Sequence, residues 1–479
     1  MKRFVLSLVS IIVFSQTSSA DVQEDFFNGC KQCDAQAVGK AIKAGADVNA
    51  LNEYNQNGLA TAFFCPEVTK ILLDNGCDPN GGEYPAVINA SNNYSIEVLE
   101  LLLKAGADPN KPGISDPGAG LRTMIEAEKA KGKKANKAMI NAWEAAVKTL
   151  QKTEVNALQL TIQATNCYPC LKMLIQAGAD VKNAEKEGNL IHRLANFSMT
   201  KEERKANFKL GAPNLVNFGL KVPAWYSDLP DDRNGTPAQM LQFLLDAGLS
   251  PNDKRADGMT AFMAVLRLHK LELAKAMMKY GADATQESVT QVGKQTVTSY
   301  PISAAAEFAD AELMQMILDQ EPDVNVTVET KALGVTMDSD YRGNTNWGGD
   351  GYTPLIISIM GGNIEVANML LDAGASVKIG SSGISILKTK FALLNCLTTI
   401  KNKTPIYWAV EQDDLALVER IGQMMEWKFN PDFTIKQYDA GLSFAGMKCA
   451  KFKSKQSPSL YASTVGNGKA SSILAAKGL

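Results

Sequence analysis

Two pairs of cysteines have the spacing of a dithiol redox motif, with two residues between the sulfur-bearing positions. They are Cys30 with Cys33 and Cys167 with Cys170, and the second pair encloses a proline. A cysteine at a helix N-terminus has a depressed pKa, and proline suits the first turn of a helix, so the second pair could form a reactive dithiol. Such motifs operate on a strand–helix–strand fold, and no such pattern surrounds either pair. Local disulfides that staple turns are therefore favoured, with thiol–disulfide exchange at Cys167 and Cys170 as the alternative.

The remaining four cysteines leave the disulfide map open. Cys396 and Cys449 form a plausible C-terminal pair, whereas Cys65 and Cys77 flank a predicted helix. That helix would hold Cys65 and Cys77 roughly 15 Å apart, which is too far for a disulfide. Either Cys65 pairs with a cysteine of the first motif, or Cys65 and Cys77 are both free.

Histidine, the side chain most often used as a general base, occurs only at His192 and His269. A general base must lie next to a nucleophile, and a zinc site needs more than two protein ligands. His269 stands where a turn glycine is expected, in a conformation that histidine tolerates better than most residues. The sequence therefore predicts neither a catalytic histidine nor a zinc site.

Two further motifs resemble metal-binding or catalytic sequences but lack essential members. Residues 338–343 open like a calcium-binding loop, yet Arg342 replaces the third ligand and Gly349 stands where a glutamate should close the loop. Ser385 and Lys388 have the Ser-x-x-Lys spacing of penicillin-recognising enzymes, without the partner motifs of those enzymes. We therefore expect no catalysis, no cofactor and no bound metal.

Length and charge limit the class of protein. A single hydrophobic core stops growing well below 479 residues, so several domains or a repeat array is expected. The 49 basic and 51 acidic residues nearly cancel, which gives no electrostatic footprint for nucleic-acid binding.

A short phrase built around a glycine recurs along the chain, each time after an apolar helical stretch. It reads Ala-Gly-Ala-Asp or a close variant at seven places: 44–47, 75–78, 105–108, 177–180, 247–250, 280–283 and 373–376. Gly45, Gly76 and Gly106 are 31 and 30 residues apart, and Gly248 and Gly281 are 33 apart. A period of this length indicates a repeat architecture.

The chemistry of the phrase predicts how each unit ends. Glycine takes the left-handed conformation that closes a helix without a Cβ clash, and Asp and Asn then bond to their own backbone to shape a turn. The chain next leaves in a hairpin-like finger. It returns to a new helix that is capped by Thr or Asn, with Pro in its first turn.

The clearest unit spans residues 351–375. It opens with Gly-Tyr-Thr-Pro-Leu-Ile, turns at 361–362 and closes with Ala-Gly-Ala at 373–375. The Thr-Pro-Leu opening and the Gly-Ala closure resemble the ankyrin repeat, and the resemblance covers most of the chain. It implies a structural role for His192, which stands where the ankyrin opening has a histidine whose imidazole supports a turn. It also implies a mainly all-α ankyrin-repeat solenoid of about ten helix-turn-helix units, with hairpin-like fingers and several helical or loop insertions.

The repeat pattern divides the chain into blocks and insertions. We expect, in order, ankyrin repeats at 21–110, a helical insertion at 111–153, repeats at 154–326 with an insertion at 198–234, a long finger at 327–349, repeats at 350–432 with an irregular insertion at 380–402, and an irregular segment with a C-terminal capping repeat at 433–479. The helical insertion is expected to pack on five apolar side chains, Met124, Ile125, Met139, Trp143 and Val147.

The first twenty residues have the features of a secretory signal peptide. Lys2 and Arg3 precede a short apolar run at 4–14, and small residues at 18–20 precede a cleavage site before Asp21. Behind such a peptide, an even number of cysteines favours disulfides. We therefore expect an exported protein, periplasmic or extracellular, without membrane insertion.

The resemblance also implies where a partner binds, because ankyrin proteins use finger tips and outward positions of the first helix. The position two residues after the Thr-Pro-Leu/Ile opening is Ile357 in one unit and Trp408 in another. Tryptophan is enriched at binding hot spots. The further candidates are aromatic or cationic side chains of the insertions, namely Tyr341, Arg342, Trp347, Trp225 and Tyr226.

We therefore predict a monomeric, non-enzymatic scaffold that binds a protein partner along its concave finger and inner-helix surface. Two alternatives stay open. One is a periplasmic thiol–disulfide protein that uses Cys167 and Cys170, and the other is a secreted effector that binds host proteins with the same fold.

Overall fold

The computed structural model describes residues 19–116, 118–182, 188–199, 206, 220–223, 235–292, 295–329, 338–339, 345–388, 395–428, 433–438 and 452–479. The chain divides into two compact units. Unit 1 comprises Met1–Asp180 and Phe197–Thr236, and unit 2 comprises Val181–Asn196 and Pro237–Leu479.

Unit 1 is built from helices that follow one another in pairs. Its elements in chain order are α1 (Ser19–Gln32), α2 (Ala35–Lys43), α3 (Gly58–Thr61), α4 (Pro66–Asp74), α5 (Ala86–Asn92), α6 (Ile96–Lys104), β1 (Gly113–Ser115), α7 (Ala119–Ala130), a 3-10 turn (Gly132–Lys134), α8 (Lys137–Thr149), β2 (Thr153–Val155), α9 (Ala157–Leu160), a π-helical turn (Thr161–Thr165) and α10 (Tyr168–Gln176). The first helices α1, α3, α5 and α9 stack in one row. The second helices α2, α4, α6 and α10 stack in another.

Unit 2 follows the same plan, with added strands. Its elements in chain order are α11 (Leu190–Phe197), α12 (Pro237–Asp246), α13 (Ala261–Arg267), α14 (Leu271–Lys279), β3 (Ser288–Val292), β4 (Gln295–Ser299), α15 (Pro301–Ala305), α16 (Ala311–Leu318), β5 (Asp338–Ser339), β6 (Thr345–Asp350), α17 (Pro354–Met360), α18 (Ile364–Asp372), β7 (Ser381–Lys388), β8 (Asn395–Lys403), α19 (Pro405–Glu411), α20 (Leu415–Met424), β9 (Thr434–Tyr438), β10 (Phe452–Lys455), α21 (Pro458–Thr464) and α22 (Gly468–Ala476). The described residues thus hold ten repeat pairs besides α7 and α8, and the predicted fold class is confirmed.

The opening and closing residues of the unit at 351–375 act as their chemistry predicts. Thr353 precedes α17, and its Oγ1 accepts a hydrogen bond from the backbone N–H of Ile356 at 3.3 Å, with a proline in the first turn. After α18, Gly374 has a φ of +89°. The next N–H, of Ala375, then reaches back to the Leu370 carbonyl at 2.9 Å. This closure needs a residue that tolerates positive φ, which is why glycine recurs there.

A ladder of asparagine side chains joins the turns of successive repeats in unit 1. The side-chain amide of Asn49 donates to the Gly76 carbonyl at 3.2 Å, and its oxygen accepts from the N–H of Asp78 at 2.7 Å. Asn80 makes the same two bonds to the following turn, at 3.1 and 2.7 Å. Each pair of bonds satisfies backbone groups that a helix end leaves open. The recurring phrase therefore stacks the repeats as well as turning the chain.

The ladder continues beneath the helical insertion. The amide of Asn110 donates to the Gly178 carbonyl at 3.0 Å, and its oxygen accepts from the N–H of Asp180 at 2.7 Å. The helices on either side of the insertion are also in contact: α5 packs on α9, and α6 packs on α10. The repeat before the insertion is therefore in direct contact with the repeat after it.

The insertion is a helical hairpin on a two-stranded stem. β1 and β2 pair antiparallel and carry α7 and α8. Ile125 and Ile140 are buried, whereas Met124 and Met139, expected in the interior, are 49% and 36% exposed. Two helices without a third layer bury a single seam, so the apolar side chains beside that seam stay in contact with solvent.

Three segments expected to be a finger or irregular form one sheet in unit 2. Strands β5 to β10 are antiparallel neighbours in the order β10-β9-β8-β7-β6-β5. They come from the long finger before α17, the insertion at 380–402 and the segment after residue 433. Stacked repeats bring their fingers side by side, so fingers that are long enough can pair strand to strand. In the described parts of 380–402 and of the segment after residue 433, strands thus replace the expected irregular structure.

Candidate partner-binding surface

The first-helix positions predicted to face a partner are core positions. Trp408 is 9% exposed and Ile357 is 4% exposed. The indole Nε1 of Trp408 donates to Ser381 Oγ at 3.2 Å, so the start of β7 covers a face that a short finger would leave open. The prediction that Trp408 and Ile357 contact a partner is therefore corrected, because both side chains are buried and Ser381 of β7 contacts Trp408.

A buried lysine lies against Trp408. Lys403, the last residue of β8, is 1% exposed, and its Nζ lies 3.3 Å from the centre of the Trp408 ring and 2.6 Å from Glu411 Oε2. The hydroxyl of Tyr461, on α21, donates to the other carboxylate oxygen of Glu411. A buried charge persists in a protein when it is paired and hydrogen-bonded, as Lys403 is. The cluster joins the sheet to α19 and α21 and so has a structural role.

The other residues predicted to contact a partner provide no evidence for a binding surface on the first helices. Trp347 belongs to strand β6. Four further candidates lie outside the described residues, namely Tyr341, Arg342, Trp225 and Tyr226. Of the C-terminal cysteine pair, Cys396 belongs to β8, and Cys449 lies outside the described residues.

One disulfide joins the first repeat to the second. It links Cys33 to Cys65, whose Cα atoms are 5.1 Å apart. Cys30, expected to pair with Cys33, is instead a free thiol with no exposed surface inside α1. Cys33 lies one residue past the end of α1 with a φ of +54°, at the edge that meets the next repeat. The local staple is therefore replaced by the cross-repeat bond that the spacing had left open.

Two buried thiols accompany this disulfide. Burial raises the pKa of Cys30 to about 12 and that of Cys77 to about 11. The Cys77 thiol also donates to the Val48 carbonyl at 3.0 Å. Thiols with such pKa values are protonated at neutral pH and are poor nucleophiles, which fits inert core residues.

The second disulfide joins Cys167 to Cys170 at the start of α10. Their Cα atoms are 5.2 Å apart, and neither side chain has exposed surface. The backbone N–H of Cys170 donates to the Cys167 sulfur at 3.2 Å. Thiol–disulfide exchange requires a partner thiolate to reach one sulfur, and burial of both sulfurs opposes that reaction. The geometry therefore favours a staple at the helix start over a redox centre.

Both histidines have structural surroundings. Burial lowers the pKa of His192, whose Nε2 lies 3.1 Å from the Met259 carbonyl oxygen and whose Nδ1 accepts the Asn189 N–H at 3.3 Å. This pattern fits a neutral ring that supports its own turn and joins it to the next finger. His269 has a φ of +53° in the turn between α13 and α14, and its ring stacks on Phe308.

A groove of about 500 Å³ opens between the finger tips of unit 1 and the insertion. The fingers contribute residues 53–56 and 83–84, called the finger wall, and the insertion contributes 114–116, Arg122, Thr123 and Lys152, called the insertion wall. Asn89 of α5 completes the lining. A volume of this size is typical of ligand sites. In repeat proteins, insertions often lie on the binding face. This insertion lies beside the fingers.

Backbone hydrogen bonds fix the finger wall of the groove. The N–H of Glu83 donates to the Asn55 carbonyl at 3.0 Å, and the N–H of Ile114 donates to the Glu83 carbonyl at 3.1 Å. Gly82 has a φ of +83°, and a Cβ there would lie 2.6 Å from the Asn55 oxygen. Two fingers and the stem of the insertion are therefore held together by backbone hydrogen bonds.

Gly113 allows the stem of the insertion to approach the fingers. A Cβ at this position would lie 2.8 Å from Ile88 Cδ1 and 3.2 Å from Tyr84 Cδ2. Contacts this short require the neighbours to move, so a larger residue would push β1 away from Tyr84. The width of the groove thus depends on a glycine.

The insertion wall carries a compact ionic cluster. Asp116 bonds to the Arg122 guanidinium, and Lys152 Nζ lies 3.3 Å from the same carboxylate. The hydrogen bond from Arg122 is the main cause that lowers the pKa of Asp116, and Lys152 adds to the effect. Both cations of this wall are therefore already engaged by one carboxylate.

Sequence reasoning missed the groove, although a signal for it exists. Glu53-Tyr54 and Glu83-Tyr84 repeat the same dipeptide 30 residues apart, which is the period of the repeat in this block. Residues that recur with the period but lie outside the Gly-Ala-Asp phrase are expected on the fingers. The insertion side of the groove has no comparable signal, because it depends on where the helical hairpin folds back.

A segment of unit 2 matches a known family. Residues 350–381 match the ankyrin repeat. This segment contains α17 and α18, with the threonine opening and the glycine closure described above. Comparison with curated proteins gives no match.

Solved ankyrin-repeat structures are similar to the chain. The human ASB11 ankyrin repeat domain is 13% identical with a TM-score of 0.35, and the match covers 62% of this chain and 96% of that domain. The ankyrin repeat domain of Bcl-3, described as a unique member of the IkappaB protein family, is 15% identical with a TM-score of 0.36, over 61% of this chain and 97% of that domain.

Ankyrin-repeat domains are in general protein-interaction scaffolds rather than catalysts. In the part of the chain that the structure describes, no group of three or more His, Cys, Asp or Glu side chains could hold a metal ion. Within the same ranges, no helix combines the length and apolar character that crossing a bilayer requires.

Proposed function

We propose that this chain is an exported, monomeric ankyrin-repeat scaffold that binds a protein partner in the groove between the fingers of unit 1 and the insertion. The observation that carries the proposal is the preformed groove itself. Its finger wall is fixed by backbone bonds through Glu83, and its other wall is supplied by a hairpin that the repeat array does not need for stacking. Stacked repeats use such finger-side surfaces for recognition.

The lining of the groove supports binding rather than catalysis. It contains neither histidine nor cysteine, the residues most often used as general base and nucleophile. It contains instead Tyr54 and Tyr84 from the fingers, and aromatic side chains of this kind are enriched at protein interfaces. A pre-ordered groove also lowers the entropy lost on association.

Export is proposed from the sequence of residues 1–20, and two disulfides among the described cysteines support an oxidising compartment. Sequencing the N-terminus of the protein purified from its native cells tests this part. We expect a chain that begins at Asp21 in the cell envelope or the medium. A chain that retains Lys2 and Arg3 in the cytosol would contradict export. Light scattering on the purified protein tests the proposal that it is a monomer.

Site-specific photocrosslinking tests the binding proposal. A photoreactive benzoylphenylalanine in place of Tyr54 should crosslink one protein in native cells, and the same probe in place of Leu460, an exposed residue of α21, should not. Tyr84→Ala should reduce the yield of the crosslink from position 54. Equal capture from both probe positions, or a crosslink that Tyr84→Ala leaves unchanged, would rule out the groove as the binding site. Recovery from the envelope or from the medium separates a periplasmic scaffold from a secreted effector.

A further inference from the structure

The charged groups of the groove are not equally available to a partner. Arg122 and Lys152 both contact Asp116, so one carboxylate engages both cations of the insertion wall. Glu53 and Glu83 on the finger wall are exposed, and neither carboxylate takes part in an ion pair within the ranges that the structure describes. The available charge of the groove is therefore negative.

Two tyrosines lie beside these carboxylates in the sequence and line the same groove. Tyr54 is 39% exposed. Tyr84 is half-buried, and its burial raises the pKa of the phenol to about 12. Its hydroxyl makes no hydrogen bond to the described part of the chain. The ring faces of tyrosine attract cations, and this attraction grows when the site is partly desolvated.

We propose that the groove recognises a cationic segment of the protein partner, with an arginine or lysine side chain held by Glu53, Glu83 and the faces of Tyr54 and Tyr84. This inference rests on the proposed function and adds the chemistry of the partner. Arginine suits the site because it combines a planar face for aromatic contact with donors for two carboxylates.

An acidic segment is disfavoured by the same observations. It would approach two unpaired carboxylates, and it would have to compete with Asp116 for Arg122 and Lys152. Like charges placed together across an interface oppose binding. Because Asp116 already engages both cations, the insertion wall offers an acidic partner little free positive charge, whereas the finger wall attracts basic partners.

Peptides of defined charge test the inference on the full-length protein. The probes are three fluorescein-labelled peptides: Gly-Ser-Arg-Gly-Arg-Ser-Gly, the same peptide with citrulline for both arginines, and the same peptide with glutamate for both. Citrulline keeps the shape of arginine without its charge. We expect fluorescence anisotropy to show at least about tenfold tighter binding of the arginine peptide than of the other two.

Matched variants locate the interaction. Glu53→Gln with Glu83→Gln should weaken binding of the arginine peptide by about tenfold or more and reduce its salt dependence. Glu97→Gln, on an exposed position of α6 outside the groove, should change it less than about twofold. Equal binding of the arginine and citrulline peptides, tighter binding of the glutamate peptide, no binding of any peptide, or no effect of the double variant would each overturn the inference.

The photocrosslink from position 54 separates this inference from the proposed function. If the crosslinked protein persists in the Glu53→Gln, Glu83→Gln variant, the groove binds a partner but not through cation recognition. If position 54 captures no protein in the wild-type background, the scaffold function itself fails.

Discussion

Lys403 Nζ lies 3.3 Å from the centre of the Trp408 ring, where almost no solvent reaches the lysine. The contact places a full positive charge at the junction of β8, α19 and α21, with Glu411 as its counter-ion at 2.6 Å. The Trp408 ring therefore packs against a buried ion pair. We expect its replacement to lower stability rather than to weaken partner binding.

Removing the buried charge should destabilise unit 2. Lys403→Met leaves the Glu411 carboxylate without its cation, and we expect the free energy of unfolding to fall by about 3 kcal/mol. Lys401→Met removes an exposed lysine two residues earlier on β8 and should change it by less than about 0.5 kcal/mol. Urea unfolding followed by tryptophan fluorescence measures both. Equal midpoints for the two variants would show that the cluster contributes nothing.

The asparagine ladder should contribute measurably to the stacking of repeats. Asn80→Ala removes two hydrogen bonds to the next turn, and we expect a loss of about 1–2 kcal/mol in unfolding free energy. Asn28→Ala, at an exposed position of α1, is the control and should be neutral or slightly stabilising, because alanine favours the helix. Thermal unfolding by circular dichroism compares the two. If Asn80→Ala left the free energy of unfolding unchanged, the asparagine ladder would not stabilise the stacking of repeats.

The Cys33–Cys65 disulfide closes a loop with a sequence separation of 32 residues, and its loss should cost about 3 kcal/mol through the greater freedom of the unfolded chain. Cys33→Ser, Cys65→Ser and the double variant should all lower the unfolding midpoint equally, because each breaks the same bond. Peptide mapping without reductant should recover the two cysteines in one linked fragment. Additive effects of the single changes, or a Cys30–Cys33 fragment, would contradict the assignment.

The buried thiols predict a loss of stability at alkaline pH. Burial raises the pKa of Cys30 from 9.0 to about 12, so the unfolded chain releases the thiol proton at lower pH than the folded chain. The stability that this group contributes is complete below pH 9 and falls as the pH rises toward 12. Cys30→Ala should flatten the decline between these values in unfolding experiments under constant ionic strength. A decline of unchanged slope in the variant would assign the effect to other groups.

The close approach at Gly113 predicts opposite effects for two glycine replacements. Gly113→Val should lower the melting temperature and reduce the affinity of the groove for a ligand, because the valine side chain would collide with Ile88 and Tyr84. Gly39→Ala lies in α2 with no atom within 4 Å of the added carbon, and it should stabilise the protein by up to about 1 kcal/mol. Differential scanning fluorimetry distinguishes the two. A Gly113→Val variant as stable as wild type would show that the stem can move away freely.

The repeat units could be predicted because their signals are local. Gly374 closes a helix through its own φ, and Thr353 caps one through a bond three residues away, so both act within one turn of the chain. The period of these signals then gives the number of helix pairs. The same reasoning identified the two histidines as structural, in agreement with the bonds of His192.

The sheet of unit 2 could not be predicted in this way. Its strands pair only because stacked repeats bring separate fingers to the same edge, and β8 pairs with β9 across an intervening helix pair. That pairing is long-range, and so are the contacts that bury Trp408 against Ser381 of β7. Reading each unit alone therefore placed two core residues on the surface, and it missed a groove whose second wall is a separate insertion.

The bond from Asn110 to Gly178 has a consequence for how this architecture can change. The repeats before and after the helical insertion are in direct contact, so the insertion leaves no gap between stacked repeats. Lengthening, shortening or exchanging the insertion would alter the insertion wall of the groove, while the neighbouring turns would keep their hydrogen bonds. Descendants of such a chain can acquire new specificity in one segment and inherit their stability from another.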